Sequence, residues 1–328
     1  MKKLRICIIG NGLSGLTSAI VLNSLNNTEV HLISKKGRNL NDKRTTAISE
    51  SNFKFLKKNI SNLSSKLFWP SKNINLFYED NNKKNINFLN FQDTNNNLMH
   101  VFENYKFRTA LLKQLKKKKI KVIKKNIQNL DTLRNYNLII LCLGSNSPIY
   151  DEVANNRSIT KNYEEISVTG YVKHKIKNLK TSQYFLSEGP LAILPFSKNS
   201  FSFVWSLNKK FYQDNSKQTS KLIKLKLMNI FKINNNFEIT NILAYPLKMG
   251  LKTKYNKKNI LILGEGLHTV HPIAGQGFNL VLRDIKELKK ILKYYSKLGI
   301  DINNSNYLDD FTKQRKPENI IFGLGIDL

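Results

Sequence analysis

Acidic side chains are scarce in this chain of 328 residues: 23 Asp and Glu stand against 54 Lys and Arg, a formal net charge of +31. Such an imbalance raises nucleic acid or an anionic membrane as partners. The basic residues are spread over every segment, however, and only residues 113–125 form a dense run. Lys, Asn and Ile abound throughout, as an AT-rich coding sequence would give. No RNA-binding aromatic signature, zinc knuckle or basic-region helix accompanies them. The expectation is no nucleic-acid partner, with contact to an anionic membrane surface as a secondary effect of the charge.

Cysteine is nearly missing. Cys7 and Cys142 are the two in the chain, and both sit in apolar runs that read as buried strands, so a disulfide framework is excluded and a reducing compartment is expected. No apolar run approaches the length needed to cross a bilayer. The chain enters a strand within its first residues, so no signal peptide is expected. These readings point to a cytoplasmic protein, free or peripherally attached. His, Cys and carboxylates nowhere cluster at metal-ligand spacing; His268 and His271 make a lone i,i+3 pair, and no metal is expected.

What is present reads as a folded α/β chain, with 41% hydrophobic and 10% aromatic residues. Residues 4–9 are a short apolar run, as in a strand buried on both faces. A glycine-rich turn follows, then a helical stripe at Leu13, Leu16 and Ile20, then a second strand at 30–33: a βαβ opening. Short strands are expected at 74–78 and 86–91, a helix at 104–118, and strands at 120–123 and 138–144. Between 158 and 246 strand signals dominate, interrupted by a helix near 217–231. Residues 201–207 place large apolar side chains at every second position, the pattern of a half-buried antiparallel strand. The end returns to the first pattern: a strand at 259–263, a glycine-rich loop, a helix near 277–293, and a last helix from an N-cap at Ser305 to near Pro317. An α/β domain is therefore split, and a β-rich domain is inserted into it.

Gly10-x-Gly12-x-x-Gly15 lies between strand and helix, the context a dinucleotide site needs. Gly10 permits the tight turn, Gly12 lets backbone approach a pyrophosphate, and Gly15 lets helix pack on strand. Leu13 and Ser14 open the helix whose free N–H groups would face the phosphates. The position that closes the second strand, where an acid commonly grips the ribose, is Ser34, followed by Lys35 and Lys36. One hydrogen bond from Ser34 replaces a two-point grip, and a 2′-phosphate read by the lysines is the alternative.

The stretch Gly264-Glu265-Gly266-Leu267-His268-Thr269-Val270-His271-Pro272-Ile273-Ala274-Gly275-Gln276-Gly277-Phe278-Asn279-Leu280-Val281-Leu282-Arg283-Asp284 closely resembles the second FAD motif of the FAD-dependent aromatic-ring hydroxylases (class A flavin monooxygenases), above all of their ubiquinone-biosynthesis branch. Glu265, at the carboxyl end of a strand, can accept a hydrogen bond from a ribityl or ribose hydroxyl. Backbone N–H groups of the tight loop could face the flavin pyrimidine carbonyl. Gly264, Glu265, Gly275, Gln276, Gly277, Phe278 and Asn279 are thus candidate cofactor contacts. His271, Pro272 and Gly275 are the candidate catalytic positions, with packing or hydrogen bonding as the other role open to His271. Asp42-Lys43-Arg44-Thr45-Thr46-Ala47-Ile48-Ser49 resembles the segment whose Arg lies near FAD, Glu103-Asn104 with Arg108 resembles the helix start that meets the cofactor, and 189–195 and 245–247 resemble segments of the substrate domain.

The resemblance implies an FAD/NAD(P)-binding Rossmann-like domain at 1–70, 98–157 and 250–328, with an antiparallel β-sheet substrate domain at 71–97 and 158–249. It implies FAD as cofactor, NAD(P)H as electron donor, O2 as co-substrate, and a polyprenylated phenol or quinone precursor as substrate. Peripheral attachment to an inner membrane and membership of a quinone-biosynthesis complex follow as expectations. Leu143 stands where the family has the Asp of an Asp-Gly pair, a position linked to the nicotinamide donor. With Ser34, this keeps two other readings open: a flavin-holding accessory protein of quinone synthesis, or a reductase or dehydrogenase on the same fold.

Overall fold

The computed structural model describes residues 3–35, 42–155, 157–232, 237–271, 276–302 and 306–325. Leu4–Ile9 lies between Thr28–Ser34 and Leu138–Leu141 in a six-stranded sheet, and its residues from Ile6 onward are buried. The spatial order is Asn256–Lys257, Ile260–Ile262, Leu138–Leu141, Leu4–Ile9, Thr28–Ser34, Lys121–Lys124. Every pair but the first is parallel, with Ile6 opposite both Val30 and Leu138. Parallel pairing sends the carboxyl ends of these strands to one edge, where open α/β sheets bind ligands. Helix Leu13–Leu22 packs against helices Asn104–Lys117 and Gln276–Lys297, and covers one face. The chain is α/β in class, with a Rossmann-like sheet and a second, larger antiparallel system.

That system is an eight-stranded sheet ordered His268–Thr269, Glu238–Lys252, Ser158–Lys173, Ser200–Asn208, Gly189–Ser197, Thr181–Leu186, Asn73–Glu79, Asn85–Gln92. All neighbours are antiparallel except Thr181–Leu186 and Asn73–Glu79. On one face Phe201, Phe203, Trp205 and Leu207 pack with Val168, Val172 and helix Thr219–Phe231 through Ile223 and Leu227. The opposite face was expected to meet water, yet Ser202 and Ser206 are as buried as the aromatics beside them. The reason is a three-stranded sheet of Thr45–Ser49, Met99–Glu103 and Trp69–Ser71. It lays Ala47, Val101 and Met99 against Ala192, Leu194, Phe196 and Val204. Alternation in 201–207 thus separates an apolar face from a small, hydroxyl-bearing face, and both are inside.

The last helix, Tyr307–Gly325, does not stop at Pro317 as expected but carries it in its interior. Proline removes one helical hydrogen bond. On either side of it, buried Arg315 and Asn319 grip Asp284 of helix Gln276–Lys297 through Nε at 2.7 Å and Nδ2 at 3.2 Å, and these tertiary bonds carry the helix through. Ser305, expected as its cap, and the expected loop at 234–236 lie outside the described residues.

Candidate functional site

The first glycine loop is shaped by how little room it has. Gly10 adopts φ +121°, and a Cβ there would stand 2.0 Å from the Cys142 carbonyl oxygen. A Cβ on Gly15 would stand 2.0 Å from the Gly10 oxygen. Gly12, by contrast, faces open space and caps helix Leu13–Leu22 with no side chain of its own. Two glycines are demanded by the fold, and the third leaves the helix N-terminus bare. A bare N-terminus at the carboxyl edge of a parallel sheet is a cradle for a pyrophosphate.

The second glycine loop meets the first. Gly264, at φ +85°, sits so close to Ser14 that a Cβ would be 3.0 Å from its Oγ. Gly266 lies against the ring of buried Tyr150, whose Oη accepts the Leu143 N–H at 2.8 Å. Tyr150 therefore wedges the ends of two neighbouring strands in place; nothing in its local sequence announces this. Leu143 itself is half-buried against the main core, so this position offers the sheet edge no polar group. Glu265 is exposed between Gly264 and Gly266.

Arg44 lies over the ring of Tyr245, 5.6 Å from its centroid, and forms two hydrogen bonds of 2.8 Å with the Asp42 carboxylate. Those bonds and the Asp42 charge raise the guanidinium's pKa, with a further contribution from Glu265. Burial alone would raise the Asp42 carboxyl, but Arg44 holds it below its usual range. Asn104 joins the group by donating to Asp42 at 2.9 Å and accepting from Thr46 at 2.6 Å. Arg108, one turn on, donates from Nε to the Asn11 carbonyl oxygen at 3.4 Å, and burial lowers its pKa. The sequence-expected Arg44, Arg108, Glu265 and glycines thus converge. Asp42 and Tyr245, which orient Arg44, had not been singled out.

Ser34 is buried at the end of its strand, its carbonyl oxygen accepting the Lys125 N–H at 3.0 Å, and Lys35 beside it is exposed. Leu13 is partly buried against the core.

The side chains of Phe278 and Asn279 face the core, which leaves their backbone N–H groups as the part of each residue that could meet a cofactor. Phe278 packs into the core beside Phe102 and Phe107. The Asn279 amide accepts from Ser49 N at 2.9 Å and Asn52 Nδ2 at 2.7 Å and donates to the Ala47 carbonyl at 3.1 Å. Both side chains point inward because helix periodicity turns them away from the loop; they anchor the helix start. A Cβ on Gly277 would face open space. Pro272 and Gly275 lie outside the described residues, as does the side chain of Gln276.

Of the two histidines, His268 bonds Asp284 Oδ2 through Nε2 at 2.7 Å, deep in the core. His271 places Nε2 2.9 Å from Oε2 of Glu165, beside the bulge in strand Ser158–Lys173, and meets Tyr163 edge-on. It joins the end of the flavin-type loop to the larger sheet, in a hydrogen-bonding role. Glu165 carries no sequence signal. Among the described residues no His, Cys, Asp and Glu group could hold a metal ion. Burial pushes both cysteine thiols up to about 12, so neither is a nucleophile at neutral pH.

A family model described as FAD binding domain matches residues 132–317, more than half of the chain. The ubiquinone biosynthesis monooxygenase COQ6 of Dictyostelium discoideum is 28% identical over 178 residues, covering 44% of this chain and 36% of that one. The ubiquinone hydroxylase UbiL of Rhodospirillum rubrum is 26% identical over 165 residues, 49% of this chain and 38% of that protein. The matched stretches thus span less than half the length of these curated relatives. Among solved structures, PqsL of Pseudomonas aeruginosa superposes with a TM-score of 0.79 at 13% identity, over 97% of this chain and 93% of that one. The p-nitrophenol 4-monooxygenase PnpA of Pseudomonas putida follows at 0.76 and 12%, over 98% and 87%. At such identities these two show the fold.

Proposed function

The chain belongs to the FAD binding domain family, and from that premise we propose that it is an FAD-dependent monooxygenase hydroxylating the ring of a polyprenylated phenol in ubiquinone biosynthesis, with NAD(P)H and O2. The observation that carries the cofactor is the glycine cradle: Gly10 and Gly15 have no room for a side chain, while Gly12 keeps open the bare end of a helix. The residues present suit FAD: Gly12, Leu13 and Ser14 would hold its phosphates, and Glu265 and Arg108 would stand by to meet the cofactor. The relatives named for ubiquinone biosynthesis support the substrate class.

When bound, the flavin supplies the redox chemistry with oxygen. The chain's part is to bind, orient and exclude water. Arg44, pinned by Asp42 and Tyr245, presents a fixed positive charge near Glu265. Ser202, buried where the three-stranded sheet lies on the larger one and bonded to Thr45, belongs to a layer from which water is excluded.

The test is direct. Purified protein is expected to be yellow and to release FAD on denaturation. Gly12→Asp, which sets a carboxylate at the cradle, is expected to abolish FAD retention while leaving the fold intact by circular dichroism. Retention unchanged would overturn the assignment of the site. NAD(P)H oxidation under air with a prenylated phenol is expected to give a product heavier by one oxygen atom. A second reading, a flavin-holding accessory protein, is favoured by one observation: Leu143 turns a position of the sheet edge over to the core. FAD bound without turnover would select it.

A further inference from the structure

The carboxyl-terminal ends of helices Glu50–Asn59, Asn104–Lys117 and Gln276–Lys297 bring lysines together. Lys289 donates from Nζ to Ser24 Oγ at 2.8 Å and to Asn59 Oδ1 at 2.5 Å. Burial lowers its pKa, and the charges of Lys293, Lys118 and Lys58 lower it further. No described carboxylate makes an ion pair with any of these four. Charges that repel one another without a counter-ion leave a concentrated positive potential.

Immediately past Lys293 the helix exposes apolar surface. Tyr294 is 59% exposed and Leu298 53%, and Ile300 follows a turn made at Gly299 with φ +70°. Tyr294 and Leu298 are one turn apart, and so are Lys293 and exposed Lys297, so one face alternates cation and apolar side chain. Nucleic acid would use the lysines but would gain nothing from Leu298 and Ile300. An aromatic ring, two aliphatic side chains and a ring of unneutralised lysines match the depth profile of a bilayer surface: acyl boundary, headgroup level, anionic phosphate.

We propose that this face, centred on Lys293, Tyr294 and Leu298, docks the protein onto an anionic lipid surface. It rests on charge and exposure at the helix ends and not on the hydroxylase reading, so the two fail separately. Full-length protein is sedimented with vesicles of phosphatidylcholine alone or with 30 mol% phosphatidylglycerol, a composition chosen to give roughly physiological anionic charge. Binding is expected to the anionic vesicles and not to the neutral ones.

The triple change Lys58→Gln, Lys118→Gln, Lys293→Gln is expected to weaken partitioning on the order of a hundredfold. Lys175→Gln, Lys177→Gln, Lys180→Gln, the same loss of charge on the exposed loop of the larger sheet, is expected to leave partitioning within about twofold. Tyr294→Ser with Leu298→Ser, at constant charge, is expected to weaken it about tenfold. Equal loss from both lysine triples, or no effect of the apolar pair, would show diffuse attraction by net charge and overturn the proposal. So would absence of vesicle binding, with or without binding to a single-stranded RNA at the same salt.

Discussion

Residues 10–15 and 264–271 face each other across the same sheet edge and are held by opposite means. The first loop is held by neutral backbone packed so tightly that Gly10 and Gly15 admit no side chain. The second is held by charges buried in the core: His268 on Asp284, and Asp284 on Arg315 and Asn319, with Asp284 0% exposed. A packed loop has one failure mode, steric, and is indifferent to pH. A loop tied down by buried ions is sensitive to protonation and to loss of any one partner, because the survivor is left charged in a low-dielectric core.

The largest effect expected is from Gly10→Ala. A methyl 2.0 Å from the Cys142 oxygen, on a backbone at φ +121°, should cost more than about 4 kcal/mol or prevent folding. Gly12→Ala, in open space, should cost no more than about 1 kcal/mol by urea unfolding, and similar losses at both positions would break the contrast between them. Next comes Arg315→Met, which leaves Asp284 with His268 and Asn319 but without its buried guanidinium, and should cost about 3 kcal/mol.

That network also carries the pH dependence. Burial would raise the Asp284 carboxyl, but His268 and Arg315 hold it below 3.8. Its stabilisation is therefore present above the unfolded value and lost as pH falls through the lower folded one. Acid titration of the urea midpoint should show a drop below about pH 4 that is shallower in Asp284→Asn, and an unchanged slope would remove Asp284 from the account. Asn279→Ala unties residues 47–52 from the helix start and should cost about 2 kcal/mol, with a parallel fall in FAD retention. The smallest effect is none: native Cys7 and Cys142, pushed up to about 12, should resist a thiol reagent at pH 7 and react fully in denaturant.

The sequence made the first of these loops legible, because glycine spacing between strand and helix records steric demands that only glycine satisfies. It made the second legible as a motif but not as a mechanism: the side chains of Phe278 and Asn279 pack inward, and Arg315, which holds Asp284 and through it His268, lies in the last helix with no local signal. Residues 201–207 were legible as a strand with two unlike faces. That the serine face is dry depends on strands drawn from 45–49, 69–71 and 99–103, far off in the chain, and no periodicity in 201–207 reports it. Pro317 misled because propensity speaks before tertiary contacts do, and here bonds from Arg315 and Asn319 outweigh a lost backbone bond. Glu165 and Tyr150 were invisible for the same reason: each matters only through what folding sets beside it.

The parallel pairing of Asn73–Glu79 with Thr181–Leu186 also sets an order of events at the ribosome. The hairpin of Asn73–Glu79 and Asn85–Gln92 leaves the tunnel about a hundred residues before the strand that seats it. Until then Phe77, later stacked on Tyr184, has no partner, and the hairpin is open on two edges: that of Asn73–Glu79, which the later strand closes, and that of Asn85–Gln92, which ends the sheet with Phe88 and Phe91 exposed. Such an edge is a template for foreign strands. Synthesis slower than folding therefore lengthens the risk instead of relieving it, and production in cells should improve with a holding chaperone or lower temperature more than with slower translation.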